Sequence, residues 1–261
     1  MAKYLGVPYR VSLQHYYGAG QGNGPPLYAS SVYSKLNFEQ SMDYDYLLHE
    51  YSWHYNPVID ELRSHISRGT RVCLEGHYQS DKYFMGLSND VRNLFTPEGG
   101  FKQWLLSNTD MVTHMPELFE EGHGYCFIGV RRGDYMKQAD FHNPCGMTYY
   151  KKAMSMLPAQ RYYIASDDIE WCKKKFIGPQ YRFFEIGINN DIVQLALMTL
   201  FQKYIMSNST YYWWGSFLSS ETDIQVIAPD KWIFGAYAER STYDSIYRDD
   251  MLVIERPVET D

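Results

Sequence analysis

The chain has 261 residues, 45% of them hydrophobic and 21% charged, which suits one large globular domain or two small ones and excludes a disordered chain. Lys and Arg number 24 against 31 Asp and Glu, and the net charge of -7 argues against nonspecific nucleic-acid binding, which needs a broad basic face. A small local basic pocket for one phosphorylated ligand is compatible with that balance.

The opening MAKYLGVPYRVSLQ has no long apolar run, and no apolar stretch of about 18 residues occurs, so a soluble, cytoplasmic chain without a transmembrane segment is expected. Cys73, Cys126, Cys145 and Cys172 form no C-x-x-C pair. Buried reduced thiols are expected, not a disulfide framework or a zinc knuckle. The 25 tyrosines are an excess that suits stacking on sugar rings.

In chain order, Ala2 to Tyr9 reads as the end of a helix and Tyr9 to Leu13 as a strand. The run GAGQGNGPP, Gly18 to Pro26, reads as an exposed loop, because prolines stand where a phosphate-cradling loop opens a helix. Asp43-Tyr44-Asp45 is a literal D-x-D without strand context and reads as surface, not as a metal motif. A helix over Tyr55 to Ser67 leads to a strand, Arg71 to Leu74, with Glu75 to Ser80 as the loop beyond it. Short helices are expected at Asp90 to Phe95 and Gly100 to Leu106. Val112 to Glu121 is polar and irregular, placing a domain boundary near Glu120 to His123 and two domains at 1–121 and 122–261.

Strand and helix then alternate. Tyr125 to Val130 is a strand, Thr148 to Met156 a helix and Arg161 to Ala165 a strand. The helix Ile169 to Lys175 and the strand Tyr181 to Glu185 follow. Asp191 to Tyr204 reads as one helix with Asp191 as N-cap. Ile205-Met206 is a short strand, and Gln225 to Ala228 reads as the last one. This alternation predicts an α/β protein with a parallel, doubly wound sheet, in which ligands bind beyond the carboxyl ends of the strands.

Three polar clusters fall at such ends. Arg131 and Arg132 carry planar forks suited to phosphate. Gly133 allows close approach of backbone to a ligand, and Asp134 can orient an arginine or a ligand hydroxyl. The alternative is structural pairing of either arginine with Asp134 or Asp168. Ser166, Asp167 and Asp168 form a strand-to-helix turn, where helix capping competes with a ribose or base contact. Ser207, Asn208, Ser209 and Thr210 suit a phosphate or pyrophosphate. Trp213 and Trp214 follow, at least one of them as core. No metal site is legible, since His123 and His142 lack ligand partners at helical spacing, and no G-x-S-x-G nucleophile elbow occurs.

Taken together, VRRGDY (Val130 to Tyr135), SDD-x-x-W (Ser166 to Trp171), D-x-x-x-L-x-x-M (Asp191 to Met198) and NSTYYWWGSFL (Asn208 to Leu218) resemble glycosyltransferase family eleven, the alpha-1,2-fucosyltransferases. LEGHYQSDKYF (Leu74 to Phe84) and VIAPDKW (Val226 to Trp232) resemble further segments of that family. The resemblance implies a GT-B fold of two Rossmann-like domains, a GDP-fucose donor, and no cofactor or required metal. It also implies inversion at the anomeric carbon and transfer to the 2-hydroxyl of a terminal galactose in a glycan acceptor. Arg131 matches the arginine that stabilises the leaving group, Arg132 supports it, and Ser209 and Thr210 donate to the pyrophosphate. Asp168 and Asp191 are candidates for nucleotide or architectural contacts, and Asp134 is a candidate base.

Two departures stand out. The family pattern is H-x-R-R-G-D, and here Gly129 takes the place of the histidine, which bears on donor identity. Family members also begin with a strand and a G-G-L-G-N-Q loop opening a long helix, whereas MAKYLGVPYRV matches the end of that helix and the next strand. The resemblance therefore implies an incomplete N-terminal domain with an open sheet edge, a route to homo-oligomers. A catalytically inactive glycan- or nucleotide-binding module, and a transferase of another GDP-sugar, are the competing readings.

Overall fold

A computed structural model describes residues 11–12, 31–36, 38–39, 43–50, 54–57, 59–120, 122, 124–185, 191–235 and 238–258. The expected helix end at Ala2 to Tyr9, the loop Gly18 to Pro26 and His123 lie outside these residues. The chain forms two units, Met1–Phe95 with Glu239–Arg248, and Thr96–Ala238 with Asp249–Asp261.

In the first unit, β1 (Val11–Ser12) and β2 (Phe38–Glu39) pair in parallel, β1 lying within the strand expected at Tyr9 to Leu13. The strand β3 (Tyr46–His49), the helix α1 (Ile59–Ser67) and the strand β4 (Val72–Glu75) make a βαβ unit whose two strands are parallel. Leu48 and Leu62 are its buried pair, with Tyr46, Ile66, Val72, Tyr78 and Tyr83 packed against them. The D-x-D run does have strand context, because β3 starts at the next residue. Four residues were too short a run to register as a strand in the sequence. Asp45 accepts from the Arg71 backbone N–H at 2.9 Å, from Nε at 3.1 Å and from Nη2 at 2.9 Å, which ties the starts of β3 and β4. The side-chain hydrogen bonds from Arg71 hold the Asp45 carboxyl down to about 2.

Beyond β4, the segment Gly76 to Phe84 wraps around Glu50. This buried carboxylate accepts from the backbone N–H of Tyr78 and from the hydroxyl of Tyr83. Gly76 is dictated by that contact, since a Cβ there meets the Glu50 Cβ at 2.5 Å, and its φ of +153° suits glycine as well. Ser80 caps the following turn, Asp81–Phe84, and α2 (Ser88–Phe95) completes the segment.

The second unit opens with α3 (Gly100–Asn108) and α4 (Met111–His114), followed by a 3₁₀ turn at Pro116–Phe119. The region expected to be irregular after residue 112 is thus largely helical turns. Leu118 is buried there, and Glu117 accepts from the Tyr163 hydroxyl at 2.6 Å. The remaining elements are β5 (Cys126–Val130), α5 (Ala139–His142), α6 (Met147–Met156), β6 (Tyr162–Ser166), α7 (Ile169–Lys175) and β7 (Tyr181–Phe183). They continue with α8 (Asp191–Met198), β8 (Lys203–Met206), α9 (Thr210–Phe217), β9 (Gln225–Pro229) and β10 (Met251–Ile254).

All neighbouring strands of this sheet are parallel, in the order β10-β9-β8-β5-β6-β7. Counted within the sheet, that is the doubly wound 3-2-1-4-5-6 order, with the reversal between β5 and β8. Every residue of β5 is buried, as expected of a central parallel strand covered on both faces. One face of the sheet packs Ile128, Ile164, Ile205, Ile227 and Ile254 with Tyr149, Tyr150 and Ala153 of α6. On the other face, Phe127 meets the rings of Phe184, Phe201, Tyr204 and Tyr212 at 5.7 to 6.1 Å.

Two expected boundaries are corrected. The helix from Asp191 stops at Met198, not at Tyr204: Thr199, Leu200 and Phe201 close it with bonds to carbonyls three residues back, and the Tyr204 hydroxyl lies 2.7 Å from both the Met198 and the Phe201 carbonyl. Tyr204 already belongs to β8, whose pairing with β5 outweighs continued helix. Nor is β9 the last strand, since β10 pairs with it from Met251 to Ile254.

Candidate functional site

The switch between β5 and β8 brings two turns together in the second unit. Ser207 donates its backbone N–H to the Gly129 carbonyl at 3.0 Å, and the Tyr135 hydroxyl donates to the Asn208 carbonyl at 3.0 Å. The Arg131–Asp134 turn and the Ser207–Thr210 turn are therefore neighbours. The Ser166–Asp168 turn joins them from β6.

Arg131 is half-buried, and its guanidinium is held by Asp134 Oδ1 at 2.9 Å and Asp167 Oδ2 at 3.2 Å, with the Tyr135 ring 5.3 Å away. Burial works to lower its pKa, but the fields of Asp167 and Asp134 outweigh burial and raise it. Arg132 is buried. Its guanidinium stacks on Trp171 at 4.0 Å and its Nε lies 3.5 Å from Asp168, while its backbone N–H donates to Asp167 Oδ1 at 2.8 Å. Asp167 is thus the hub joining the ends of β5 and β6, a role the sequence did not single out. Gly133 is required by the same carboxylate, because a Cβ there meets Asp167 Oδ2 at 2.8 Å.

Asp168 is the N-cap of α7, accepting from the Trp171 backbone N–H at 3.2 Å, and its own N–H donates to Ser166 Oγ at 2.9 Å. The capping role weighed for this turn is what these bonds describe. Asp191 begins α8 and accepts from the Ile192 N–H at 2.9 Å; its carbonyl accepts from the Tyr211 hydroxyl.

Asn208 is fully buried, and its side chain is spent inside the protein. Its Nδ2 donates to the carbonyls of His142 at 2.9 Å and Trp232 at 2.8 Å, and its Oδ1 accepts from Arg256 at 2.9 Å. Ser207 is also fully buried, and among the described residues its hydroxyl has no hydrogen-bond partner. Ser209 is the N-cap of α9 without a side-chain cap bond, and Thr210 is the first helical residue. The positive end of the α9 dipole therefore lies at the carboxyl end of β8. Trp213 of α9 is buried and stacks on Phe217 at 5.4 Å, which fits the expected core role.

Four residues around the turns have roles that the sequence did not assign. Tyr135 stacks on His142 with centroids 3.8 Å apart and planes 7° from parallel. Burial lowers the His142 pKa, Asp134 opposes that shift, and Arg131 and Arg256 add to it. Arg256, only 1% exposed, bonds Asn208 and the His142 carbonyl. Tyr212 lies against Gly129, where a Cβ meets its ring at 2.5 Å, and its hydroxyl lies 3.1 Å from the Val130 carbonyl and 3.2 Å from the Ala165 carbonyl. Tyr135 and Tyr212 lie inside the VRRGDY and NSTYYWWGSFL motifs, and His142 was weighed only as a metal ligand, whereas Arg256 lay near no sequence signal.

Three of the buried tyrosines share one pattern. The hydroxyls of Tyr149, Tyr150 and Tyr212 reach backbone carbonyls at the ends of β5, β6 and β8 and in the middle of β9. These rings fill the core and bind strand ends instead of lining a sugar site. Cys126, Cys145 and Cys172 are buried free thiols, and burial pushes Cys172 up to about 12. Among the described residues no group of three or more His, Cys, Asp or Glu can hold a metal ion, and no helix is long and apolar enough to cross a membrane.

The sequence profile of Glycosyl transferase family 11 matches residues 42–254, a span that contains all three turns. The chain is 33% identical over 186 residues to the O-antigen biosynthesis glycosyltransferase WbnK of Escherichia coli, covering 66% of this chain and 59% of the relative. It is 28% identical over 167 residues to an alpha-1,2-colitosyltransferase of Escherichia coli, covering 60% of this chain and 54% of the relative. The chain thus spans somewhat more than half the length of these curated relatives. No solved structure matches it at a significant level. With the motifs at the carboxyl ends of a doubly wound sheet and the profile running through both units, the chain belongs to glycosyl transferase family 11.

Proposed function

We propose that the chain is a metal-independent, inverting glycosyltransferase of GT-B architecture. It moves L-fucose from GDP-fucose to the 2-hydroxyl of a terminal galactose in a glycan. The observation that carries this reading is the meeting of the Arg131–Asp134 and Ser207–Thr210 turns at the switch point of the parallel sheet, where nucleotides bind in such folds. In the reaction, the acceptor oxygen bonds to the anomeric carbon as the bond from that carbon to the β-phosphate oxygen breaks. The electron pair leaves with the nucleoside diphosphate, and Arg131, assisted by the N-terminus of α9, stabilises the charge growing there. Asp134 and Asp167 fix the guanidinium beforehand, so it need not be ordered at the moment of reaction. The acceptor proton must pass to a base, for which Asp134 is the candidate within this cluster.

Replacing Arg131 with Ala is expected to abolish transfer from GDP-fucose while the thermal transition and circular dichroism stay those of the parent. Retained turnover refutes the assignment. A second reading, transfer of a different GDP-sugar, is favoured by Gly129, which stands in the place of the family histidine with the Tyr212 ring over it. The relative named a colitosyltransferase also supports it. A donor panel separates the two by which sugar is transferred.

A further inference from the structure

Arg256 is a buried cation that, among the described residues, meets only neutral groups. Its Nη1 donates to Asn208 Oδ1 at 2.9 Å and lies 3.4 Å from the Cys145 sulfur, its Nη2 donates to the His142 carbonyl at 3.3 Å, and the Phe234 ring is 4.5 Å away. Its Nε is buried with no hydrogen-bond partner among the described residues. The nearest acid in the bonding pattern, Asp230, accepts from the backbone N–H of Arg256 at 2.8 Å, not from the guanidinium. Among the described residues no carboxylate pairs with this charge. Burying a charge without a counter-ion is costly, and folds retain it where something else is gained.

The contrast with the neighbouring turn supplies the reason. Around Arg131, two guanidiniums face three carboxylates, so the cluster as a whole is not positive. Among the described residues Arg256 is an unbalanced positive charge near the switch point, and its shortest side-chain hydrogen bond runs to Asn208, in the turn that opens α9. We infer that Arg256 is a positioning residue for the Ser207–Thr210 turn and the source of positive potential there, acting through Asn208 on a diphosphate-class ligand. In a poorly polarisable interior that field reaches farther than an exposed charge of the same size. The inference rests on the reading that this switch point takes a nucleoside diphosphate.

Calorimetric titration with GDP and with guanosine, on the parent protein and on Arg256→Met, tests it. Methionine replaces the buried charge with an apolar chain of similar length, a change that is often neutral for stability. The expected result is about a tenfold or greater loss of affinity for GDP with guanosine affinity unchanged, and a flatter dependence of GDP affinity on salt. Arg256→Lys, which keeps the charge, retains most of the preference for GDP over guanosine. Equal losses for GDP and guanosine in folded Arg256→Met, or no loss for either, overturn the proposal. Should that variant not fold, Arg256→Gln, which keeps a donor for Asn208 without the charge, carries the same expectations. If the parent ignores GDP but binds another nucleoside diphosphate, the GDP-sugar reading fails, and Arg256 is tested on that diphosphate against its nucleoside. If no nucleoside diphosphate binds, both fail.

Discussion

Gly129 shows how one absent side chain organises a site. A glycine inside a central strand normally weakens it, but here the vacated volume holds the ring of Tyr212, which an added Cβ meets at 2.5 Å. The same tyrosine reaches the carbonyls that end β5 and β6, one residue before Arg131 and Ser166. Gly129 and Tyr212 are therefore one feature. A histidine at 129, as in the family pattern, requires the ring to be elsewhere. Gly129→Ala alone is expected to destabilise by about 1–3 kcal/mol through overpacking, and Tyr212→Ala by about 3–5 kcal/mol through the cavity it leaves. Adding Gly129→Ala to Tyr212→Ala should cost almost nothing further. Urea unfolding of the two single variants and the double one measures this coupling, and strict additivity means the two positions do not share the volume.

At the scale of elements, α7 depends on a residue with two duties. Asp168 caps the helix through the Trp171 N–H, and its other oxygen faces the buried Arg132 guanidinium at 3.5 Å. Asn caps as well as Asp but carries no charge. Asp168→Ala should therefore lose about 1 kcal/mol more than Asp168→Asn, which is the share due to the cap. Equal midpoints for both variants in denaturant would assign the whole effect to the ion contact. This double use also explains what the sequence made legible. Alternating apolar runs and polar clusters disclosed most strands of the second unit, because buried parallel strands and the turns beyond them differ sharply in composition. The turns around Arg131, Ser166 and Asn208 were legible for the same reason. The roles of Asp167, Tyr212 and Arg256 were not, because each is set by partners at least 35 residues away in the chain. The over-long helix from Asp191 has a related cause: Phe201 and Tyr204 continue the apolar stripe, but the sheet, not the helix, takes Tyr204.

For the molecule as a whole, the path of the C-terminal segment matters most. After Ala238 the chain runs through Glu239–Arg248 of the first unit and then returns to the second with β10. That return adds the edge strand beside β9, buries Met251 and Ile254, and delivers Arg256 to Asn208. Burying two such side chains contributes roughly 3–6 kcal/mol, a large part of the roughly 5–15 kcal/mol by which domains are stable. Ending the chain after Asp250 should therefore leave a marginal second unit, with β9 as an exposed parallel edge open to strand addition from another copy. The truncated protein is expected to melt well below the parent and to elute as a concentration-dependent oligomer in size-exclusion chromatography with light scattering. A chain ending at Pro257 restores β10 and Arg256 together, so it should recover both the melting temperature and the preference for GDP over guanosine. A chain ending at Glu255 with β10 intact should recover the first without the second. If all three shortened chains melt and bind alike, neither the edge strand nor the buried arginine has the part assigned to it.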